Sequence, residues 1–299
     1  MMDVGQKREV GQMSLTEAGQ DGKASPGRAG RRRPERLRMI VDVVNANGTV
    51  DVEHLAQTVG VSLATVRRDL ALLSEQGMVL RNHGGAARTD RGYELPLHYR
   101  AGSNADEKRR IALAAAKMVS DGCVVGITGG TTAMEVARAL VDRLDLIVVT
   151  NALNVASELA MHRNIRVSVT GGTVRPIAFE LSGPIAEQTI RNYNLDIAFV
   201  GADGIDRLAG VTTHNESEAL TNAALASRAR RVVVVADHTK LGQVRFARIC
   251  TIDKVHTLIT GNESSREELD GFCSEGVEVI LTGRGSKCTP LRVGEIDDA

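Results

Sequence analysis

The chain has 299 residues, 42% hydrophobic and 25% charged, with 37 basic and 37 acidic side chains that cancel at pH 7. That length allows about two domains with a sizeable core, and the mix is that of a soluble globular protein. Aromatic residues are only 2%, with no Trp, which argues against binders that stack single-stranded bases on aromatic platforms. Residues 1–34 are rich in Gly, Gln, Ser, Glu, Lys and Arg and have almost no apolar pattern, so a disordered tail is expected there. It ends in Arg28, Arg31, Arg32 and Arg33, which read equally as a solvated tail or as an arm that touches phosphate.

Residues 35–91 are expected to form a compact unit. A helix over 35–45 puts Leu37, Ile40, Val41 and Val44 on one face. Asp51 is a good N-cap for a short second helix with Val52, Leu55, Ala56 and Val59 inward. Gly60 and Val61 make a tight turn. Ser62 caps a third helix over 63–76, with Val66, Leu70 and Leu73 at helical spacing, and Gly77 stops it. Strands are expected over 78–81 and 86–88, joined by a turn at 82–85. The order is helix, helix, turn, helix and a two-stranded wing.

The third helix carries the chemistry. With Val66, Leu70 and Leu73 facing the core, Ala64, Thr65, Arg67 and Arg68 cannot all be buried. Short polar residues then stand at the helix start, where a recognition helix meets base edges. Two arginines follow, long enough for phosphate or guanine. Free amides at the helix start also favour phosphate. An arginine pair on a helix is usually just solvated, but the preceding short helix, the tight turn and the wing argue for a DNA face. Charge is distributed to match. Residues 1–91 hold 14 basic and 11 acidic side chains, net +3, and residues 92–299 hold 23 and 26, net −3.

A linker is expected at 92–104, then a helix over 105–120 with Ile111, Ala112, Ala115 and Val119 on its apolar face. Beyond Gly122, β-branched runs at 123–127, 146–150, 167–170, 197–201, 232–236, 255–259 and 277–281 alternate with helical stretches. Those stretches fall at 132–141, 155–161, 183–191, 216–227 and 266–275. That alternation predicts an α/β domain over 105–282 with a mostly parallel sheet covered on both faces. Residues 283–299 lack periodicity and are expected to fray. Several strand ends carry features suited to a small phosphorylated polyol. They are Gly129, Gly130, Thr131 and Thr132; Asn151; Gly171 and Gly172; Asp203 and Asp206; and Lys240. Neither GxGxxG nor GxxxxGK[ST] occurs, which disfavours dinucleotide and nucleoside-triphosphate binding. Cys123, Cys250, Cys273 and Cys288 form no CxxC pair and no His-spaced ligand set, so reduced thiols and no metal or cofactor are expected. No uncharged apolar run reaches membrane-span length, and no apolar h-region follows Lys7 and Arg8. A cytoplasmic protein is therefore expected.

Two stretches resemble the DeoR family of bacterial transcriptional regulators. In the head the matching residues are Ser62, Thr65, Val66, Arg67, Arg68, Asp69, Leu70, Leu73 and Gly77, followed by Arg81, His83, Gly84, Gly85 and Ala86. The resemblance implies a winged helix-turn-helix in which Ser62, Thr65, Arg67 and Arg68 line the DNA face. The wing turn His83-Gly84-Gly85 would approach the backbone, and Asp69 would be structural, pairing with an arginine. Over 104–262 the chain is similar to the family's sensor domain, through Asn104, Glu107, Lys108, Ile111 and Ala112 and later Asp237, Lys240 and Gly242. That domain implies a sugar-phosphate or related effector and a homo-oligomeric repressor of carbohydrate genes.

It is in turn similar to ribose 5-phosphate isomerase, whose acidic motif reads like Gly201–Asp206. That would make Asp203 and Asp206 acid/base candidates, whereas turn capping is their plain alternative. The departures favour a sensor over an enzyme. The isomerases follow this motif with Lys-Gly-Gly-Gly, whereas here Arg207-Leu208-Ala209-Gly210 follows, with Glu216 and Glu218 as the nearest stand-ins for the isomerase glutamate. The sensor family commonly has Asp where Thr128 stands and often Lys at or near Asn222. These differences bear on which effector fits, not on whether a pocket exists.

Overall fold

The computed structural model describes residues 33–75, 77–88, 96–283 and 288–291. Of the tail expected over 1–34, residues 1–32 lie outside the described residues, while Arg33 and Pro34 are not tail but open the first helix. The head begins with α1 (Arg33–Asn47), β1 (Thr49–Asp51), α2 (Val52–Val59) and α3 (Leu63–Glu75). The wing strands β2 (Leu80–Asn82) and β3 (Gly85–Ala87) follow. Asp51 caps α2 as its sequence position predicts, its Oδ1 accepting from the His54 amide at 2.7 Å. Leu37, Ile40, Val44, Leu55, Val66, Leu70 and Leu73 close one apolar cluster. The wing has three strands rather than two, because β1 pairs antiparallel with β3 in the order β1-β3-β2. A three-residue strand leaves no periodicity to read in sequence.

The chain then makes α4 (Leu97–Arg100) and α5 (Ala105–Ala116). The expected linker is thus structured from residue 96 onward. The Leu97 amide donates to the Ile177 carbonyl at 2.9 Å, and Arg38 of α1 donates to Ser103 Oγ at 3.4 Å.

The sensor domain starts with β4 (Val124–Ile127), α6 (Thr131–Ala139), β5 (Leu146–Thr150), α7 (Leu153–Leu159) and β6 (Ile165–Val169). A hairpin of β7 (Thr173–Arg175) and β8 (Glu180–Ser182) leads to α8 (Pro184–Arg191) and β9 (Leu195–Gly201). A second hairpin, β10 (Gly204–Asp206) and β11 (Gly210–Thr213), precedes α9 (Glu216–Ser227) and β12 (Ala229–Val235). The chain closes with β13 (Ala247–Cys250), β14 (Thr257–Gly261), α10 (Arg266–Ser274), β15 (Glu278–Thr282) and β16 (Cys288–Leu291). Seven strands in the order β15-β14-β12-β9-β4-β5-β6 are parallel, and β16 adds an antiparallel edge. Part of the stretch expected to fray therefore forms a strand, and residues 284–287 and 292–299 lie outside the described residues.

Alternation along the central strands explains the two layers. Ile197, Phe199, Val233 and Val235 pack with Ile111, Val136 and Val155 on one face. Ala198, Val200, Val232 and Val234 pack with Ile190, Leu225 and Leu269 on the other. Chain order runs outward from β4 to β6 and restarts at β9, beside β4. That reversal opens a crevice at the carboxyl ends of β4 and β9, where open α/β sheets bind ligands. No helix among the described residues is long and apolar enough to cross a membrane.

Candidate functional site

Two surfaces carry the candidate functional residues. The first is the start of α3. Ser62, Ala64, Arg67 and Arg68 are exposed and Thr65 is half-buried. Ser62 and Thr65 share a hydroxyl hydrogen bond of 2.9 Å, and the Thr65 amide donates to Ser62 Oγ at 3.3 Å. Arg68 Nε lies back on the Ala64 carbonyl at 3.3 Å, leaving the rest of its guanidinium outward. Asp69, by contrast, is 2% exposed and accepts from Arg36 Nε at 2.7 Å, the structural pairing that the head resemblance implies. In the wing turn His83 and Gly84 are exposed. Gly85 is not. It is buried against β1, where a Cβ would stand 2.1 Å from the Val50 carbonyl oxygen, so its place is close strand packing rather than the DNA face.

The second surface is a polar cavity of about 720 Å³ at the β4–β9 crevice. Gly129, Gly130, Thr131 and Thr132 bring the start of α6 to its wall, and Gly201 and Asp203 come from the end of β9. Thr128 Oγ1 ties the two strand ends, accepting from the Gly201 amide at 2.9 Å. Lys240 enters after β12, and Glu180, His214, Glu218 and Asn222 complete the floor. Arg100, Asn104 and Lys108 reach in from α4 and α5, and Asp42 and Arg88 of the head stand at the same cavity.

Charge is organised within it. Arg100 Nη1 donates to Asp203 Oδ1 at 2.8 Å. Thr213 Oγ1 lies 3.0 Å from Asp203 Oδ2 and 2.7 Å from Glu218 Oε1. Arg175 pairs with the other Glu218 oxygen at 3.1 Å. Lys108 Nζ is 3.8 Å from Asp237, whose carboxylate also accepts from Asn104 at 3.2 Å. Burial opposes ionisation of Asp203, but Arg100, Lys240 and His214 outweigh it and hold its pKa below the ordinary carboxylate value. Burial likewise opposes ionisation of Asp237, and Lys240, Thr239 and Lys108 reverse it. Glu180 goes the other way: burial, then Glu218 and Asp203, raise it well above the usual range. Burial and Asp203 also raise Glu218. Burial lowers Lys108 to about 8.

Of the expected effector residues, Gly129, Gly130, Thr131, Thr132, Asp203 and Lys240 meet at this cavity. Four do not. Asn151 is fully buried behind the wall, donating to Asn222 Oδ1 at 3.0 Å and Glu180 Oε2 at 3.3 Å, so it braces two lining residues. Gly171 and Gly172 form the positive-φ turn between β6 and β7. Asp206 Oδ1 caps the β10–β11 turn, accepting from Leu208 and Ala209 at 2.8 Å. Turn capping, the plain alternative, is what its geometry provides. Sequence reading missed Arg100 and Glu180. Arg100 sat in an apparent linker, and Glu180 sits on a three-residue strand with no motif around it.

A winged helix-turn-helix with an exposed third helix, joined to a doubly covered parallel α/β domain with a polar cavity at its switch point, defines a DNA-binding regulator with a sensing domain. Residues 36–91 match the DeoR-like helix-turn-helix domain and residues 103–262 the DeoR C terminal sensor domain. The chain belongs to the DeoR family of transcriptional regulators. It is 38% identical to the HTH-type transcriptional regulator GlpR of Haloferax volcanii, over 82% of this chain and 96% of that one. It is 34% identical to the glycerol-3-phosphate regulon repressor of Escherichia coli K12, over 76% of this chain and 91% of that one. A ribose 5-phosphate isomerase structure from Methanocaldococcus jannaschii is matched over 46% of this chain and 55% of its own, at 25% identity and a TM-score of 0.35. So partial a likeness carries no function across.

Proposed function

We propose that this chain is a cytoplasmic repressor of carbohydrate-metabolism genes. It binds a double-stranded operator and is controlled by a small phosphorylated sugar or polyol. It is not an enzyme, and it acts as a homodimer or homotetramer. The observation that carries the reading is the pairing of an exposed Ser62–Arg68 face with a polar cavity that also touches Asp42 and Arg88 of the head. Ser62, Ala64, Thr65, Arg67 and Arg68 read the major groove, with His83 and Gly84 near the backbone. One head offers few base contacts, so paired heads on half-sites supply specificity. Gly130, Thr131 and Thr132, with Lys240, take the phosphate. A relative named for glycerol 3-phosphate, itself a phosphorylated polyol, supports that class. The turn-capping role of Asp206 supports binding over isomerisation, which needs both acids at the substrate.

An effector shifts operator affinity only by its differential binding to the two head arrangements, typically about 1–3 kcal/mol or roughly 5- to 150-fold. The test is fluorescence anisotropy of the full chain with DNA tiling the flanks of its own gene, at fixed salt with competitor DNA, with and without a pool of sugar phosphates. Tight binding to one tile that the pool alters is the expected result. Weak, salt-sensitive binding to every tile would refute the head reading.

A further inference from the structure

The cavity's carboxylates can be paired off one by one, and the acid left over describes a ligand. This step rests on the effector reading above and extends it to the ligand's chemical class. Asp203 is held by Arg100, Glu218 by Arg175 and Asp237 by Lys108. Among the described residues at the cavity, Lys240, Arg88 and Arg245 form no ion pair, and of the acids Glu180 alone has none. Lys240 stands at the same cavity as the free amides at the start of α6, a setting for phosphate. Glu180 is a charge of the opposite sign, and a phosphate alone gives it nothing to bind.

Glu180 is 3% exposed. Its carboxylate lies against the Gly129 backbone, where a Cβ would stand 1.8 Å from Oε1. Its hydrogen bond from Asn151 is long, at 3.3 Å, and comes from a neutral amide. A buried carboxylate without a cation costs several kcal/mol when ionised. It therefore holds a proton until a ligand's cation replaces it: burial first, then Glu218 and Asp203, outweigh the opposing pull of Arg100 and Arg175. A metal ion is a poor replacement for that proton. The oxygens of Glu180, Asp203 and Glu218 are not among the groups that converge tightly enough to ligate one ion. A cation carried on a larger ligand needs no such convergence, only one carboxylate within reach.

We infer that the effector is a phosphorylated amino sugar, whose ammonium group is read by Glu180 while its phosphate is held at the start of α6 and by Lys240. On binding, Glu180 loses its proton to solvent and forms a charge-assisted hydrogen bond to the ammonium inside the cavity. Glu180 is thus the residue that sets preference for an amine over a hydroxyl.

Isothermal titration of the full chain tests this below pH 7, where the sugar amine is charged. The probes are glucosamine 6-phosphate and galactosamine 6-phosphate, against glucose 6-phosphate, galactose 6-phosphate and N-acetylglucosamine 6-phosphate. At least one amino sugar is expected to bind about tenfold or more tighter than its hydroxyl and acetylated counterparts, releasing a proton to buffer. Glu180→Gln, which mimics the protonated acid in shape and charge, is expected to erase that preference. Equal affinity for amino and hydroxyl sugars overturns the proposal while leaving a sugar-phosphate effector standing. A preference that survives in Glu180→Gln also overturns it. No binding by any of the five overturns it together with the effector reading. Should the variant not fold, the comparison of amino and hydroxyl sugars on the unaltered chain decides alone.

Discussion

The head and the sensor domain place their polar residues in opposite ways. In the head the interior is apolar, and the side chains proposed to meet DNA, Ser62, Ala64, Arg67 and Arg68, stand in solvent. Among the head's described residues one acid, Asp69, is buried. In the sensor domain the residues proposed to meet the effector are inside. Glu180, Asp203, Glu218 and Asp237 are all nearly covered, and their partners come from distant chain. Arg100 and Asp203 are 103 positions apart, and Asn104 and Asp237 are 133 apart. A surface that reads a large, rigid, charged partner needs only a well-held helix. A pocket for a small polar molecule needs many elements to agree, and it buries charge to gain discrimination.

The largest effect that would test this contrast is at Asp69. Asp69→Ala removes the buried acceptor of Arg36 and is expected to cost the head about 3–5 kcal/mol. Calorimetry should then show the head melting ahead of the sensor domain, with operator binding lost and ligand-induced stabilisation kept. A single unshifted transition would mean the two regions are not separately held.

Arg67→Ala and Arg68→Ala are expected to leave the melting temperature alone and weaken operator binding by about 1–3 kcal/mol each. Anisotropy at two salt concentrations separates a phosphate contact from a base contact, since the first lowers the salt slope. Unchanged affinity in both variants would move the DNA face elsewhere.

A third test uses pH. Lys108 sits at about 8 in the folded chain, pushed down by burial first and by Lys240 and Arg100. Its unfolded value is 10.5, so the unfolded chain binds more protons between these two values. Stability of the sensor domain should therefore rise with pH across that window. Lys108→Met should flatten the rise in denaturant titrations. The head has no lysine among its described residues and should show no counterpart.

The smallest effect is expected at Gly84, whose φ of 96° meets no atom within 4 Å of a built Cβ. Gly84→Ala should cost about 1 kcal/mol of head stability through backbone strain alone.

The same contrast decides what could be read from the sequence. Val66, Leu70 and Leu73 at helical spacing, with Ser62 and Asp51 as caps, placed the head's helices within a residue or two, because those signals are local. The outward position of Arg67 and Arg68 followed from which neighbours turn inward. Gly85 was misread because glycine in a turn and glycine under a crossing strand look alike in one dimension, and β1 is too short to announce itself. In the sensor domain, glycines and threonines after β4 could be placed at the crevice, since strand ends are where open sheets bind. Asn151, Gly171, Gly172 and Asp206 carried the same local signature, yet three sit in turns and one behind the wall. Arg100 and Glu180 carried none, because what brings them to the cavity is a neighbour more than twenty-five positions away.

The ion pair between Arg100 and Asp203 has a practical bearing on how this protein can be cut. The family's sensor domain begins at residue 103, while Arg100 and the Leu97 amide, which donates a hydrogen bond to the Ile177 carbonyl, lie ahead of it. A fragment started at that boundary would keep the sheet, both helical layers and Lys240. It would strand Asp203 without its guanidinium and remove one side of the cavity. Ligand screens on such a fragment would report a pocket that the intact regulator does not have. A chimera joined there to a foreign head would inherit the same fault, and a junction before residue 96 avoids it.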